Sequence, residues 1–429
     1  MTDTIVPAPA PSLAELTAAS FKVGCLGFGG PAGQIALMHR VFVEEKKWIA
    51  NEDYLHALNY CMLLPGPEAQ QLATYAGWRL RGVAGGMIAG LLFVAPGALL
   101  VFALAWLYAA LGEVPLVAAL FLGVKAAVVA FVLDALVRIG RRTLKDPLDL
   151  LVAGAAFLAL YLFNLPFPLV ILGAGMVGIL VSGGAAERPA PQGRFDAGKA
   201  FRAATLWGTL WLAPLAASFV LLGPDHVLTR VGLLFSKLAV VTFGGAYAVL
   251  AYLQQQAVNA EGWLSAGQMI DGLGLAETTP GPLVLVNEFV GFMAGWNAEG
   301  GGLGFALATA AMAAWCTFAP SFVWIFAGAP FAERLRHSVR AKGALGAITS
   351  AVLGVIATLA VLFSVNVLFD RQADAALPWG HSLHLPDLAS ANLLAMVIAA
   401  AAAVALIRYR VNVVAVVLAC GAAGLIQLL

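Results

Sequence analysis

Residues 64–82, LPGPEAQQLATYAGWRLRG, and residues 276–291, AETTPGPLVLVNEFVG, each carry a Pro-Gly-Pro break inside an apolar stretch, at Pro65-Gly66-Pro67 and again at Pro280-Gly281-Pro282. The two breaks lie 215 positions apart. The same interval relates Phe28-Gly29-Gly30 to Phe243-Gly244-Gly245, Trp48 to Trp263, and Lys22 to Lys237. Rare residue types held in register without a gap identify an internal duplication, the signal to look for before any other. Beyond an insertion at the Gly-rich stretch 299–304, Val94-Ala95-Pro96 resembles Phe318-Ala319-Pro320, and Lys125 resembles Lys342.

The sequence around these landmarks is that of a chain whose main solvent is lipid. Of its 429 residues, 61% are apolar and 11% charged, and the mean hydropathy is +0.90. Those values lie outside what a water-soluble globular chain tolerates. A membrane crossing takes about 20 helical residues, so the length supplies on the order of a dozen crossings and leaves no room for a large soluble domain. A formal charge of +1 gives no basic field, which argues against nucleic-acid binding. Cys25, Cys61, Cys316 and Cys420 sit in apolar segments without CxxC spacing and read as buried free thiols. Met1 to Pro11 lack the basic region of a cleaved signal, so the first apolar stretch is expected to belong to the mature protein. No nucleophile–base constellation, HExxH or Walker A sequence occurs. The expectation is a protein that is not an enzyme and uses no cofactor and no metal, because His381, His384 and Asp387 supply too few ligands for a metal site.

Each repeat reads as two Gly/Pro-broken segments followed by four apolar spans. These fall at 13–43, 51–80, 83–110, 115–138, 148–164 and 166–184, and again at 230–258, 264–297, 303–328, 343–366, 390–407 and 411–428. One apolar segment, 203–223, connects the repeats without a counterpart, and a single connecting span turns the second repeat over. The positive-inside rule gives an independent check. Arg79 with Arg81, then Arg138, Arg141, Arg142 and Lys145, then Arg188, Arg194, Lys199 and Arg202 are separated by even numbers of spans and belong in the cytoplasm. Beyond the connector, Arg334, Arg336, Arg340, Lys342, Arg408 and Arg410 return to the same side.

The expected fold is therefore an all-α polytopic membrane protein with two inverted-topology homologous repeats and Gly/Pro-broken helical hairpins. A cytoplasmic tail covers 1–12, a first repeat 13–184, a basic cytoplasmic linker 185–202, a connecting transmembrane helix 203–223, and a second, inverted repeat 224–429. The N-terminus is placed in the cytoplasm and the C-terminus in the periplasm, with the chain in a bacterial inner membrane. A homodimer is compatible with this layout. Parity leaves open whether the broken segments are re-entrant or fully spanning.

A helix break at membrane depth frees backbone groups that only protein or a water-filled cavity can satisfy. Proline is well placed in the first turn of a helix. Pro31, Pro67 and Pro282, with Ala246 in the equivalent place of the remaining break, are thus expected to start half-helices whose unpaired N–H groups point at the breaks. Convergent helix N-termini at a repeat interface make an anion site. The expected substrate site comprises Gly29, Gly30, Pro31, Gly66, Pro67, Gly244, Gly245, Gly281 and Pro282, with the amides of Gln70 and Gln71 and the hydroxyls of Thr278 and Thr279. Lys22 and Lys237, each six residues before a Phe-Gly-Gly, are read as contacts to a dianion, the alternative being that they snorkel to the interface. Glu68 either caps the helix after Pro67 or carries a proton; Glu277 and Glu288, which flank the second Pro-Gly-Pro together with Asp271, are further proton-carrier candidates. Arg79 is a candidate gate, against the plainer reading of a positive-inside anchor. GFGGPAG at 27–33 imitates a nucleotide-binding glycine loop, but no strand precedes it.

Phe28-Gly29-Gly30-Pro31, the run 64–82, and AETTPGP at 276–282 followed by Glu288-Phe289-Val290-Gly291 strongly resemble the long, two-domain form of the chromate ion transporter family. The resemblance covers nearly the whole chain and is weakest at the extreme N-terminus and the 185–202 linker. It implies export of chromate from the cytoplasm and chromate resistance, with sulfate as the similar dianion to be discriminated. Composition and repeats by themselves reach only an anion transporter. The other readings are proton- or cation-coupled transport of sulfate or a related oxyanion and, in another class, a non-transporting membrane scaffold or sensor.

Overall fold

The computed structural model describes residues 10–28, 30–112, 114–182, 197–243, 246–328, 338–379 and 381–428. Gly29, Gly244 and Gly245 of the expected site lie outside the described residues, as do Arg188, Arg194, Arg334 and Arg336. Sixteen α-helices are described: α1 Leu13–Leu26, α2 Gly30–His39, α3 Asn51–Cys61, α4 Glu68–Leu111, α5 Pro115–Thr143, α6 Pro147–Tyr161, α7 Phe167–Ser182, α8 Ala197–Leu222, α9 Val227–Val241, α10 Ala246–Leu253, α11 Ala266–Thr278, α12 Val286–Trp296, α13 Leu303–Gly328, α14 Val339–Leu368, α15 Leu393–Ile407 and α16 Val413–Gly424. Local chemistry sets several of the starts. Ser12 and Glu15 form a capping box at α1, and Asp146 with Asp149 does the same at α6, whose first residue is Pro147.

Helices α4, α5, α8, α13 and α14 are each long and apolar enough to cross a membrane. Helix α8 leaves Phe201, Leu206, Val220 and Leu221 exposed, and α7 does the same with Leu172 and Leu180. Apolar faces this extensive are lipid-facing surfaces. The protein is an all-α polytopic membrane protein.

The order of elements in the first half recurs in the second. Helices α1 and α2 run into a π-helical turn at Arg40–Glu45, and α9 and α10 run into another at Gln254–Ala260. Then α3, a Pro-Gly-Pro turn and α4 are matched by α11, a Pro-Gly-Pro turn, a 3₁₀ turn at Leu283–Leu285 and α12. Helix α4 is bent where Arg81 and Gly82 leave helical geometry, at φ −140° and +60°; the second half opens the same place into a loop between α12 and α13. Helices α5, α6 and α7 correspond to α14, α15 and α16. The connection between the spans expected at 343–366 and 390–407 contains a β-hairpin: β1 Gln372–Ala376 pairs antiparallel with β2 Ser382–Pro386. In it His384 Nδ1 lies 2.6 Å from Asp374.

The chain forms two compact units, and each takes parts of both repeats. One comprises Met1–Trp106, Pro189–Ala246 and Thr279–His337. There α13 packs on α8, α9 and α12. The other comprises Leu107–Arg188, Tyr247–Thr278 and Ser338–Leu429. Its centre is α5 with α14: α14 packs on α5, α6 and α7, and α5 also receives α11, α15 and α16. Small residues permit these approaches, as where Gly354 lies directly on the backbone of α6 at Ala153.

Candidate functional site

Both Pro-Gly-Pro turns need a left-handed glycine: Gly66 has φ +102° and Gly281 φ +100°. The turns are tied across the duplication. The Gly66 N–H donates to the Thr242 carbonyl at 2.9 Å, and the Gly281 N–H donates to the Gly27 carbonyl at 3.0 Å. Thr242 stands 215 positions after Gly27, just as Gly281 stands 215 after Gly66. Each turn therefore bonds the residue that precedes the other repeat's Phe-Gly-Gly, in one reciprocal exchange. Helix α4 also lies on the second turn, because Gly97 sits against the Pro280 carbonyl where any Cβ would collide.

A buried glutamine completes the junction. Gln34, fully buried on α2, donates from Nε2 to the Gly27 carbonyl at 3.1 Å and to the Gly281 carbonyl at 2.5 Å. One amide thus occupies two carbonyl oxygens that would otherwise present negative charge at the breaks. Its own Oε1 is buried and has no partner among the described residues.

Around this junction lies a cleft lined by Pro31, Gln34, Gly66, Pro67, Glu68, Ala69, Thr242, Pro282, Leu283 and Val284, with about 350 Å³ of free space that is partly open to solvent. Much of that space is open solvent; the enclosed part is about 20 Å³, room for about one water. All four breaks contribute to it, through Pro31, Pro67, Thr242 and Pro282. Pro67 caps α4, whose first bond runs from the Gln71 N–H to the Pro67 carbonyl. The first N–H groups of a helix have no intrahelical partner, so Glu68 and Ala69 bring the dipole-positive end of α4 to the cleft wall. Among the lining residues Glu68 is the one ionisable side chain.

The other sequence candidates fall in different places. Gly30 opens α2 at φ +68°. Gln70 and Gln71 are buried, but their amides donate to the carbonyls of Phe318 (3.3 Å) and Pro65 (2.7 Å), leaving each Oε1 without a partner. The Thr278 hydroxyl donates back into its own helix, to Leu275 at 2.8 Å, and Thr279 is buried. Lys22 and Lys237 are both exposed and outside the lining, and the Lys22 ammonium pairs with Glu45 at 3.1 Å. Arg79 is exposed, whereas the Arg81 guanidinium donates to the carbonyls of Ala10 and Pro11 and ties down the start of the described chain. Glu277 accepts from the Tyr247 hydroxyl at 2.7 Å in the other compact unit. Glu288 is fully buried with neither oxygen hydrogen-bonded. Sequence reasoning missed Gln34 and Thr242. Thr242 could have been found as the residue aligned with Gly27, and Gln34 as the polar residue inside an apolar helix just past a break.

Five helices long and apolar enough to cross a membrane, together with shorter helices that break at four points around one small cleft, make this a polytopic membrane protein. Comparison with known proteins gives the family. The family model described as "Chromate transporter" matches residues 14–179 and 229–425, two stretches that begin 215 residues apart. The chain is 34% identical over 362 residues to the "Chromate transport protein" of Pseudomonas aeruginosa, covering 83% of this chain and 82% of that one. It is 30% identical over 373 residues to the "Probable chromate transport protein" of Synechococcus elongatus (84% and 87% covered), and 25% identical over 367 residues to an uncharacterized transporter of Methanocaldococcus jannaschii (85% and 87%). No solved structure matches the chain. This chain belongs to the chromate transporter family.

Proposed function

We propose that the protein exports chromate from the cytoplasm and thereby confers chromate resistance, binding the dianion in the cleft where the four helix breaks meet. One observation carries this reading: residues from all four breaks line a single cleft, while Gln34 occupies two of the carbonyls that would repel an anion. Glu68 and Ala69, the first residues of α4, line the cleft, and a helix N-terminus is the chemistry an oxyanion needs. The names of the relatives supply the particular anion. Export is also energetically coherent. A dianion leaving a cell at 100 mV, negative inside, gains roughly 4.6 kcal/mol.

The two repeats are proposed to be inverted in the inner membrane, with the N-terminus and 185–202 cytoplasmic and the C-terminus periplasmic. The reciprocal Gly66–Thr242 and Gly281–Gly27 bonds support a local two-fold relation, since such an axis makes residue i contact j and j contact i. Cysteine labelling from either side checks the orientation; both termini on one side would contradict it. Lys22 and Lys237 are exposed and outside the cleft lining, so Lys→Gln at either is expected to lower flux less than changes at Gln34.

The direct test is uptake of labelled chromate into proteoliposomes, with sulfate as competitor. Saturable, potential-dependent flux is expected, and its absence from well-folded protein would favour the scaffold reading. Glu68→Gln is expected to raise chromate affinity by roughly tenfold, equivalent to about 1.4 kcal/mol of relieved repulsion. Titration at neutral pH measures this. Weaker binding in the variant would mean that the carboxylate helps to hold the ion, as a proton carrier would.

A further inference from the structure

The compact unit that does not contain the cleft buries an ionisable cluster of its own. Asp271, on α11, is 2% exposed. Its Oδ2 accepts from the Tyr108 hydroxyl at 2.8 Å and lies 3.2 Å from Lys125 Nζ. Among the described residues its Oδ1, also buried, has no hydrogen-bond partner. Lys125 stands ten residues into α5, which begins at Pro115. At 1.5 Å per residue that is about 15 Å from the helix start, half the thickness of a hydrocarbon core of about 30 Å. Three residues beyond Asp271, Gly274 lets α11 lie directly on the Val124 and Val128 side chains of α5.

Stability alone does not explain this cluster, because a buried ion pair is commonly no better than apolar residues of the same volume. Ionisable residues at membrane depth are expensive and mark pathways for ions or protons. The Lys125 side chain keeps 30% of its surface exposed. An ammonium at that depth cannot face hydrocarbon cheaply, so water at the exposed part of this side chain is the route by which a proton would reach Asp271. The other charged groups nearby are accounted for. On α5, Asp134 and Arg138 pair at 3.6 Å and act on Glu277. Helix α16 carries Cys420, α14 carries Arg340 and Lys342 in its first turn, and the π-helical turn 254–260 has no titratable side chain. Among the described residues, the groups acting on Asp271 are Lys125 and Tyr108.

We propose that Asp271, held by Lys125 and Tyr108, is a proton-binding site that couples anion movement to the pH gradient. A proton from water adds to the vacant Oδ1, the carboxylate becomes a carboxylic acid, and the Asp271–Lys125 pair passes from net zero to +1. Release of the proton on the opposite side restores the neutral pair. This rests on the transport reading above.

The test uses purified protein in proteoliposomes loaded with a pH-sensitive dye, and makes two measurements. The first is exchange of labelled chromate at equal concentrations and without gradients. The second is net chromate movement and dye response under an imposed pH gradient at zero membrane potential. Wild type is expected to show both. Asp271→Asn is expected to keep exchange but to lose the pH-driven movement and the dye response down to the level of empty liposomes. Because Asp271→Asn leaves Lys125 uncompensated, the double variant Asp271→Asn/Lys125→Met, which removes both charges, is tested beside it and should show the same split. If wild type exchanges no chromate, the transport reading fails and the inference falls with it. The inference alone is overturned if wild type exchanges chromate without responding to the pH gradient, or if the variants respond as wild type does. It is overturned as well if monodisperse variants lose exchange itself, which would make the cluster a requirement of transport rather than of coupling.

Discussion

Gly66→Ala and Gly281→Ala are each expected to remove most oxyanion transport while leaving the helices intact. Both glycines hold left-handed backbone, at φ +102° and +100°. A side chain there costs about 1–2 kcal/mol. The added Cβ also has little space: at Gly281 it would come within 3.0 Å of Leu285, and at Gly66 within 3.3 Å of the Gln71 amide. The turn relieves both by rotating, and rotation withdraws the N–H from its partner across the duplication. A buried N–H left without its acceptor costs a further 1–3 kcal/mol or so, while the Gly27 carbonyl keeps the Gln34 amide. The total, about 2–5 kcal/mol, falls where four breaks meet, so the local geometry is expected to give way before the surrounding bundle does. Because the bonds are reciprocal, the two variants should have the same phenotype. Chromate flux with a parallel thermal melt checks this, and near-wild-type flux in both variants would separate the turns from the site.

Changes at Gln34 are expected to come next in size. Gln34→Leu keeps the volume but leaves the Gly27 and Gly281 carbonyls without their amide, at about 1–3 kcal/mol for each buried group. The Gly27 carbonyl retains the Gly281 N–H, so the larger share of the cost falls on Gly281. Gln34→Glu is expected to be worse. Its carboxylate would face two carbonyl oxygens and add a second negative charge to a wall that already carries Glu68. The sign of the pH effect follows: protonation restores a donor, so binding by Gln34→Glu should recover partly as pH falls. Gln34→Leu has nothing to protonate and should show no such recovery. Oxyanion titration of both variants between neutral and mildly acid pH makes the comparison; equal behaviour would mean that the amide does not screen the breaks.

Much of this arrangement was legible in the residues. The spacing that relates the two Pro-Gly-Pro turns also places α1–α2 opposite α9–α10, and helices begin at Gly30, Glu68 and Ala246, with a 3₁₀ turn after Pro282 leading into α12. Prolines and glycines are readable because they act on their own backbone, whatever the chain folds against. Partners across the duplication were not readable. An interval in sequence says that Gly66 and Gly281 are equivalent, but not that each donates to the other repeat's Thr242 or Gly27. Gln34 was missed for the same reason: its role depends on two carbonyls, one of them 247 positions away. Lys22 and Lys237 sit at equivalent positions, yet both point outward, where equivalence in the repeat carries no information about the ligand. The two π-helical turns and the β-hairpin at 372–386 depend on local pairing that apolar periodicity does not report.

The central claim is that the oxyanion sits in the cleft formed by the four breaks. An anomalous difference map from crystals of the full chain grown with chromate, recorded at the chromium edge, tests it most directly. One chromium peak bounded by Gly66, Pro67, Thr242 and Pro282, within reach of the first N–H groups of α4, is the predicted result. A chromium peak elsewhere in the protein, with this cleft empty, would contradict it.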